Sequence, residues 1–331
     1  MVNKVSAGII GMGYALPERK ITNEYLEKVV DTTDEWITEK VGVKERYFAD
    51  GKSFSDLGIE AARDAISDSK IKADDIGLVI AGTTTHDYYA GPFTSTIIKD
   101  TIGAIEAAAF DINVACTSFV NGLEMAGAFI GSGKYNNILI VCGEVWTQLP
   151  LFFKNRTTAV ILGDGVGAVV VSRVECGGLL NSVSKAQLKD SDALVRPYGG
   201  SRNPITKEVM EQEKDVVYMD GGRLFNFAVK AFNDRTKEAC EGAGIKVDEL
   251  DIIVSHQANI NIIKKGMSNL GLPLDKTHTV IEKYGNTGGG STIIALSEAV
   301  SEGKVKKGDL VGLVQFGSGL ASGAVVMRWC Y

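Results

Sequence analysis

Short apolar runs rich in Val and Ile recur along the chain at 78–81, 108–112, 138–142, 168–171, 252–255 and 310–314, flanked by Gly and charged turns. Runs of that length, apolar at nearly every position, predict strands buried on both faces. Between them, 56–69, 117–130, 224–243 and 292–301 carry helical composition. Buried strands separated by helices predict an α/β protein.

The pattern also repeats. Residues 65–80 (AISDSKIKADDIGLVI) lie over 239–254 (ACEGAGIKVDELDIIV) at an offset of 174, sharing a helix end, an Ile-Lys, an acidic turn and an apolar strand. Residues 132–143 (SGKYNNILIVCG) resemble 302–317 (EGKVKKGDLVGLVQFG) at an offset of 170 that drifts to 174 after a short insertion. Two matches at nearly one offset predict a duplicated α/β unit, with halves at 1–174 and 175–331. The competing explanation is that helix, acidic turn and strand form a common local pattern. An offset of 170 sets Cys116 opposite Asn286, each just before an apolar helical stretch. A two-fold arrangement then brings two helix N-termini, with their free N–H groups, toward one central site.

Composition narrows the classes. A chain of 331 residues, 45% hydrophobic and 23% charged, can bury one large core or two fused halves. The formal charge of −6 argues against a general nucleic-acid binder, because phosphate neutralisation needs a dense basic surface. The apolar N-terminal run is broken by Gly8, Gly11, Gly13 and Pro17 before it could act as a signal or membrane segment, so a cytoplasmic protein is expected. Five scattered cysteines and three unpaired histidines match neither a disulfide framework nor zinc-ligand spacing, and no metal site is expected.

Three places carry chemistry. Cys116 follows an apolar strand and precedes a helix apolar at Phe119, Val120, Leu123, Ala126 and Phe129. A thiol at such a helix N-terminus is favoured as the nucleophilic thiolate, although a cysteine there is also a common packing residue. His256 ends the strand of ELDIIVSHQANINIIKKG, where polar groups at a strand's C-terminal edge face a crevice in α/β folds. Asn286 lies in EKYGNTGGGSTIIALSEAV, whose Gly288 to Gly290 run permits a sharp turn or a close approach. With no Lys after that run and no Walker spacing, a phosphate cradle is disfavoured.

The Cys helix, HQAN and YGNT, in that order, together with GIIGMGYALPERKITNEYLEKVVDTTDEWI, NRTTAVILGDGVGAVVV and FGSGLASGAVVMRW, make the chain resemble β-ketoacyl-acyl-carrier-protein synthase III and its relatives in the thiolase superfamily over essentially its whole length. That resemblance implies a thiolase-like fold, two duplicated α/β halves in an αβαβα stack. It implies decarboxylative condensation of an acyl-CoA with malonyl carrier protein, initiating fatty-acid synthesis. Cys116 would take the acyl group as a thioester. His256 Nε2–H and the Asn286 amide would stabilise the enolate, and the backbone N–H groups of Cys116 and Ser318 would form the oxyanion hole. The substrates are acyl-CoA and malonyl carrier protein, and no bound cofactor is required. Trp36 and Arg156 match the pair that holds the adenine of CoA. Asn259 matches a pantetheine contact, and Lys40 stands where an Arg often contacts phosphate. A homodimer is implied, with the 85–96 loop crossing its interface near the acyl pocket.

The chain departs from the family pattern at Ser118, where Gly is expected, at Ser255, where Pro is common, and at Gly288 to Gly290, where Ser-Ala-Ala is common. GLASG replaces GLTWG, and Asn261 stands where some members dock the acidic carrier with Arg, a task left to Arg223, Lys264 and Lys265. Smaller residues near the nucleophile are expected to enlarge the acyl pocket, leaving the starter open. The alternatives are a specialised condensing enzyme or acyltransferase of secondary metabolism and, in another class, a thioester hydrolase or a non-catalytic partner of a synthase.

Overall fold

The computed structural model describes residues 6–149 and 152–331. Residues 1–5, the start of the N-terminal run considered above, lie outside the described residues. Every expected strand forms, and three more join them in the two large sheets. One mixed sheet runs in the spatial order Ser6–Ala15, Gly165–Val174, Asn137–Glu144, Leu78–Gly82, Ala108–Ile112. Its first two pairings are antiparallel and its last two parallel. The second sheet runs Gly178–Ala186, Ala321–Arg328, Leu310–Gly317, Ile252–Ser255, again with two antiparallel pairings followed by a parallel one. A single parallel bridge, Ile253 to Thr277, stands where the first sheet has its fifth strand.

The helices complete five layers, α–β–α–β–α, as the resemblance implied. The central layer holds Ser118–Gly131 and Gly290–Ser301, each touching strands of both sheets. Helices sandwiched this way must be apolar nearly all round. Phe119, Val120, Leu123 and Ala126 in one, and Ile293, Ile294, Leu296 and Ala299 in the other, are fully enclosed in one continuous core. Phe54–Ser69 and Thr94–Ile102 cover the outer face of the first sheet, and Gly221–Ala243 and Ile260–Leu270 that of the second.

Ser6–Ala15 was not legible as a strand because its glycines read as breakers. They are there for packing: a Cβ on Gly11 would stand 2.4 Å from the Ala65 carbonyl oxygen, and one on Gly13 would stand 2.5 Å from that of Ala61. The strand therefore lies directly against the backbone of the Phe54–Ser69 helix. Among the described residues, no helix is long and apolar enough to cross a membrane.

Candidate active site

Cys116 sits in a single 3₁₀ turn, Ala115–Thr117, that runs straight into the Ser118–Gly131 helix. Ala115 holds a left-handed φ of 48°, a strained conformation for a residue with a side chain, and the turn presents the thiol toward the facing half. Gly317 faces it so closely that a Cβ there would lie 2.6 Å from the Cys116 Cβ. The backbones of Ser318 and of Cys116 itself act on the sulfur in the direction that favours its thiolate. Burial, reinforced by the nearby Glu144 carboxyl, acts the other way and pushes the thiol up to about 12. The sequence led us to expect a depressed thiol pKa. Desolvation in the closed core outweighs the local backbone contribution.

His256 immediately follows the Ile252–Ser255 strand, its N–H bound to the Val314 carbonyl at 2.8 Å. Its Nδ1 lies 2.7 Å from Ser291 Oγ, which also accepts the Gln257 N–H at 3.1 Å. Phe316 packs on the ring edge to face, with centroids 5.6 Å apart. Burial pushes the imidazole down to about 3, partly offset by the backbone of Gly288, so the ring is neutral at neutral pH.

Asn286 is fixed from both backbone ends: its N–H donates to the Ile161 carbonyl at 2.9 Å and its carbonyl accepts from Gly163 at 3.1 Å. Its Oδ1 accepts the Gly288 N–H at 2.9 Å, so the NH₂ end of the amide is the one this bond leaves over. Cys116, His256 and Asn286 meet at one cleft with a cavity volume of about 120 Å³. Its walls are apolar, with Ile161, Leu194, Met219, Phe225 and Ile262 prominent, and Asn259 adds a polar edge.

The remaining expected positions fall into place unevenly. Arg156 stacks on Trp36, its Cζ 4.3 Å from the ring centroid, so a flat ligand entering between them must part the pair. Asn259 caps the Ile260–Leu270 helix through Asn261 N–H, and its amide donates to the Lys40 carbonyl at 2.9 Å. Asn261 also donates to that carbonyl, tying the helix to the end of Asp34–Lys40. The Lys40 ammonium is exposed beside Glu39. Lys264 and Lys265 are exposed. Arg223 is held by Asp190 and Asp192, at 2.8 and 2.7 Å.

The departures at Ser118 and at Gly288 to Gly290 do not open space. Ser118 fills it: a Cβ on Gly289 would lie 3.0 Å from the Ser118 Cβ, and one on Gly82 would lie 2.5 Å from it. A Cβ on Gly288 would strike the Glu144 Cγ at 2.4 Å, and one on Gly290 would meet the Cys142 carbonyl oxygen at 2.5 Å. The glycine run thus accommodates Ser118, Glu144 and the backbone beneath it.

Residues the sequence did not single out bind the site together. Gln315, fully buried, accepts from Val120 N–H at 3.0 Å in the first turn of the Cys116 helix. Its amide donates to the Gly289 carbonyl and to Thr292, both at 3.0 Å. One side chain of the second half thereby caps a helix of the first. A lone Gln inside the apolar run LVGLVQFG was the available signal. His278, Glu298 and Glu302 cluster elsewhere. There Lys283 binds Glu298 at 2.8 Å and Lys304 stands 3.0 Å from the His278 ring, so the cluster works as an ion-pair network.

Comparison with known proteins points the same way. Residues 110–187 match the family described as 3-oxoacyl-[acyl-carrier-protein] synthase III, and residues 240–329 match its C-terminal counterpart. The β-ketoacyl-[acyl-carrier-protein] synthase III of Caldanaerobacter subterraneus subsp. tengcongensis is 42% identical over 331 residues, covering 99% of each chain. The crystal structure of 3-oxoacyl-[acyl-carrier-protein] synthase III from Aquifex aeolicus superposes with a TM-score of 0.90 at 35% identity, over 98% of this chain and 100% of that one. The priming β-ketosynthase of the R1128 polyketide pathway superposes with a TM-score of 0.91 at 27% identity, over 100% of this chain and 98% of that one.

Proposed function

This chain belongs to the β-ketoacyl-[acyl-carrier-protein] synthase III family, and from that premise we propose that it initiates fatty-acid synthesis by condensing an acyl-CoA with malonyl carrier protein through an acyl-Cys116 intermediate. The observation that carries this reading is the convergence of Cys116, His256 and Asn286 on one apolar cleft.

In the first step, Cys116 sulfur attacks the thioester carbonyl, and the oxyanion develops against the N–H groups of Cys116 and Ser318. CoA leaves as its thiol, carrying away the proton that the Cys116 thiol gives up. In the second, the malonyl thioester loses carbon dioxide and its carbon attacks the acyl-enzyme, returning the Cys116 sulfur. The enolate oxygen is stabilised by His256 and Asn286. Because Ser291 Oγ accepts from Gln257 N–H, its own proton can go to His256 Nδ1, which places the ring proton on Nε2. A neutral ring donates from Nε2 without a charge to desolvate. The carbanion comes from loss of carbon dioxide, so this chemistry draws on no metal or redox cofactor.

Around that centre, Trp36 and Arg156 would open to take the adenine, Lys40 would approach a phosphate and Asn259 would line the pantetheine path. Lys264 and Lys265, exposed on their helix, offer cations for an acidic carrier, with Arg223 neutralised by two aspartates. The matched strand orders of the two sheets support two duplicated halves, 1–174 and 175–331. The exposed Tyr88, Tyr89 and Phe93 beside the edge strand Ala108–Ile112 support a homodimer. We place the enzyme in the cytoplasm.

The test is intact-mass detection of an acyl adduct that vanishes in Cys116→Ala, followed by condensation with malonyl carrier protein across short, branched, long and aromatic acyl-CoAs. No adduct with any acyl-CoA would leave a non-catalytic partner, and an adduct that only hydrolyses would leave a thioesterase. Its likeness to a priming β-ketosynthase keeps a specialised synthase as the second reading. That reading gains if adducts form but malonyl carrier protein gives no product.

A further inference from the structure

Glu144 ends the Asn137–Glu144 strand with no exposed surface. Among the described residues its partners are hydroxyls and one backbone N–H. Oε2 accepts from the hydroxyls of Thr83, Thr84 and Thr85 at 3.0, 2.9 and 2.8 Å, and Oε1 accepts from Thr84 N–H at 3.0 Å. A carboxyl enclosed without a cation is costly, and burial pushes it up to about 7. Residues held in that state concentrate where a site uses them.

What rests on Glu144 is the turn that carries the rest of the site. Gly288 adopts a left-handed φ of 61°, and its Cβ position falls 2.4 Å from the Glu144 Cγ, so the turn lies on the carboxyl arm at contact distance. From that position the Gly288 N–H holds Asn286 Oδ1, and its backbone acts on the His256 ring. Three residues on, Ser291 holds His256 Nδ1. Both residues proposed to stabilise the enolate therefore take their orientation from 286–291. On its other side the carboxyl lies near enough to act on the Cys116 sulfur.

We propose that Glu144 is a positioning residue for condensation: it sets Asn286 and His256 through the 286–291 turn, and its carboxyl acts on the Cys116 sulfur. This rests on the reading of the site given above. The titratable groups that face Glu144 are Cys116, Cys142 on its own strand, and His86, itself paired with Asp111. The 83–85 turn offers it only hydroxyls and N–H groups.

The experiment uses full-length wild type, Glu144→Ala and Glu144→Gln, with thermal melts to confirm folding. Three readouts are taken: acyl-Cys116 formation from acyl-CoA, carbon dioxide release from malonyl carrier protein, and the pH profile of Cys116 alkylation by iodoacetamide. Glu144→Ala should lower carbon dioxide release about 100-fold, the scale of a misplaced catalytic group, while acylation changes far less. Glu144→Gln keeps the shape and should restore most of that loss. With the charge gone, its alkylation limb should move to lower pH.

Parallel loss of both steps in Glu144→Ala, no loss of carbon dioxide release, or an unshifted limb in Glu144→Gln would each overturn the proposal. If wild type itself releases no carbon dioxide, the functional reading falls. The alkylation limb of Glu144→Gln would then still decide whether Glu144 acts on the cysteine.

Discussion

Cys116 is governed by two opposed effects within a few ångströms. The backbones of Ser318 and Cys116 favour its thiolate, while burial and Glu144 hold the proton on. The sign follows: a raised thiol pKa keeps the thiolate scarce until alkaline pH. Alkylation of Cys116 should therefore rise about tenfold per pH unit through pH ~10, where an ordinary thiol has levelled off above about 8.5. A plateau near neutral pH, followed by peptide mass mapping, would show that the backbone contribution prevails. In the proposed mechanism His256 and Asn286 act in the second step alone. His256→Ala and Asn286→Ala should still form the acyl adduct while losing about 10²- to 10³-fold in carbon dioxide release, measured separately. Equal loss of acylation would assign them to the first step instead.

At the scale of elements, close approach of backbones replaces side-chain interdigitation where the site is built. The Ser6–Ala15 strand meets its helix through Gly11 and Gly13, and the Gly290–Ser301 helix meets the Asn137–Glu144 strand through Gly290. Gly13→Ala would force a Cβ to 2.5 Å from a carbonyl oxygen that cannot swing aside. It should destabilise the fold by about 1–3 kcal/mol, read as a lowered midpoint in urea denaturation. An unchanged midpoint would mean that the strand and helix part freely. The same economy of space limits the acyl pocket: Ser118 occupies what the neighbouring glycines vacate, so the starter must be decided elsewhere along its wall.

For the whole molecule, the two sheets enclose one central helical layer, and the halves are joined through it. Gln315 makes that junction polar and specific, linking the first turn of one central helix to the start of the other. Outside, Tyr88, Tyr89 and Phe93 are 56%, 87% and 59% exposed, an apolar load that an isolated chain gains nothing by displaying. Tyr89→Asp with Phe93→Asp should shift the protein from dimer to monomer in sedimentation, with the fold retained by circular dichroism. A wild-type monomer would remove the homodimer from the proposal.

The fold class, the repeated pattern and the three residues that meet at the cleft were legible in the sequence because they are written locally. Apolar runs mark buried strands, the offset near 170 marks the repeat, and Cys116, HQAN and YGNT each stand at an element's edge. Local pattern cannot report what a side chain meets from a distant part of the chain. Gln315 reaches Val120 across 195 positions and Ser291 reaches His256 across 35, while Glu144 meets Gly288 only because two halves close on each other. The same closure reverses two expectations. It buries the thiol deeply enough to raise its pKa, and it fills the space that small residues seemed to leave. The chemistry of the site was therefore set by residue type and order, and its tuning by the desolvation and contact that only the packed core supplies.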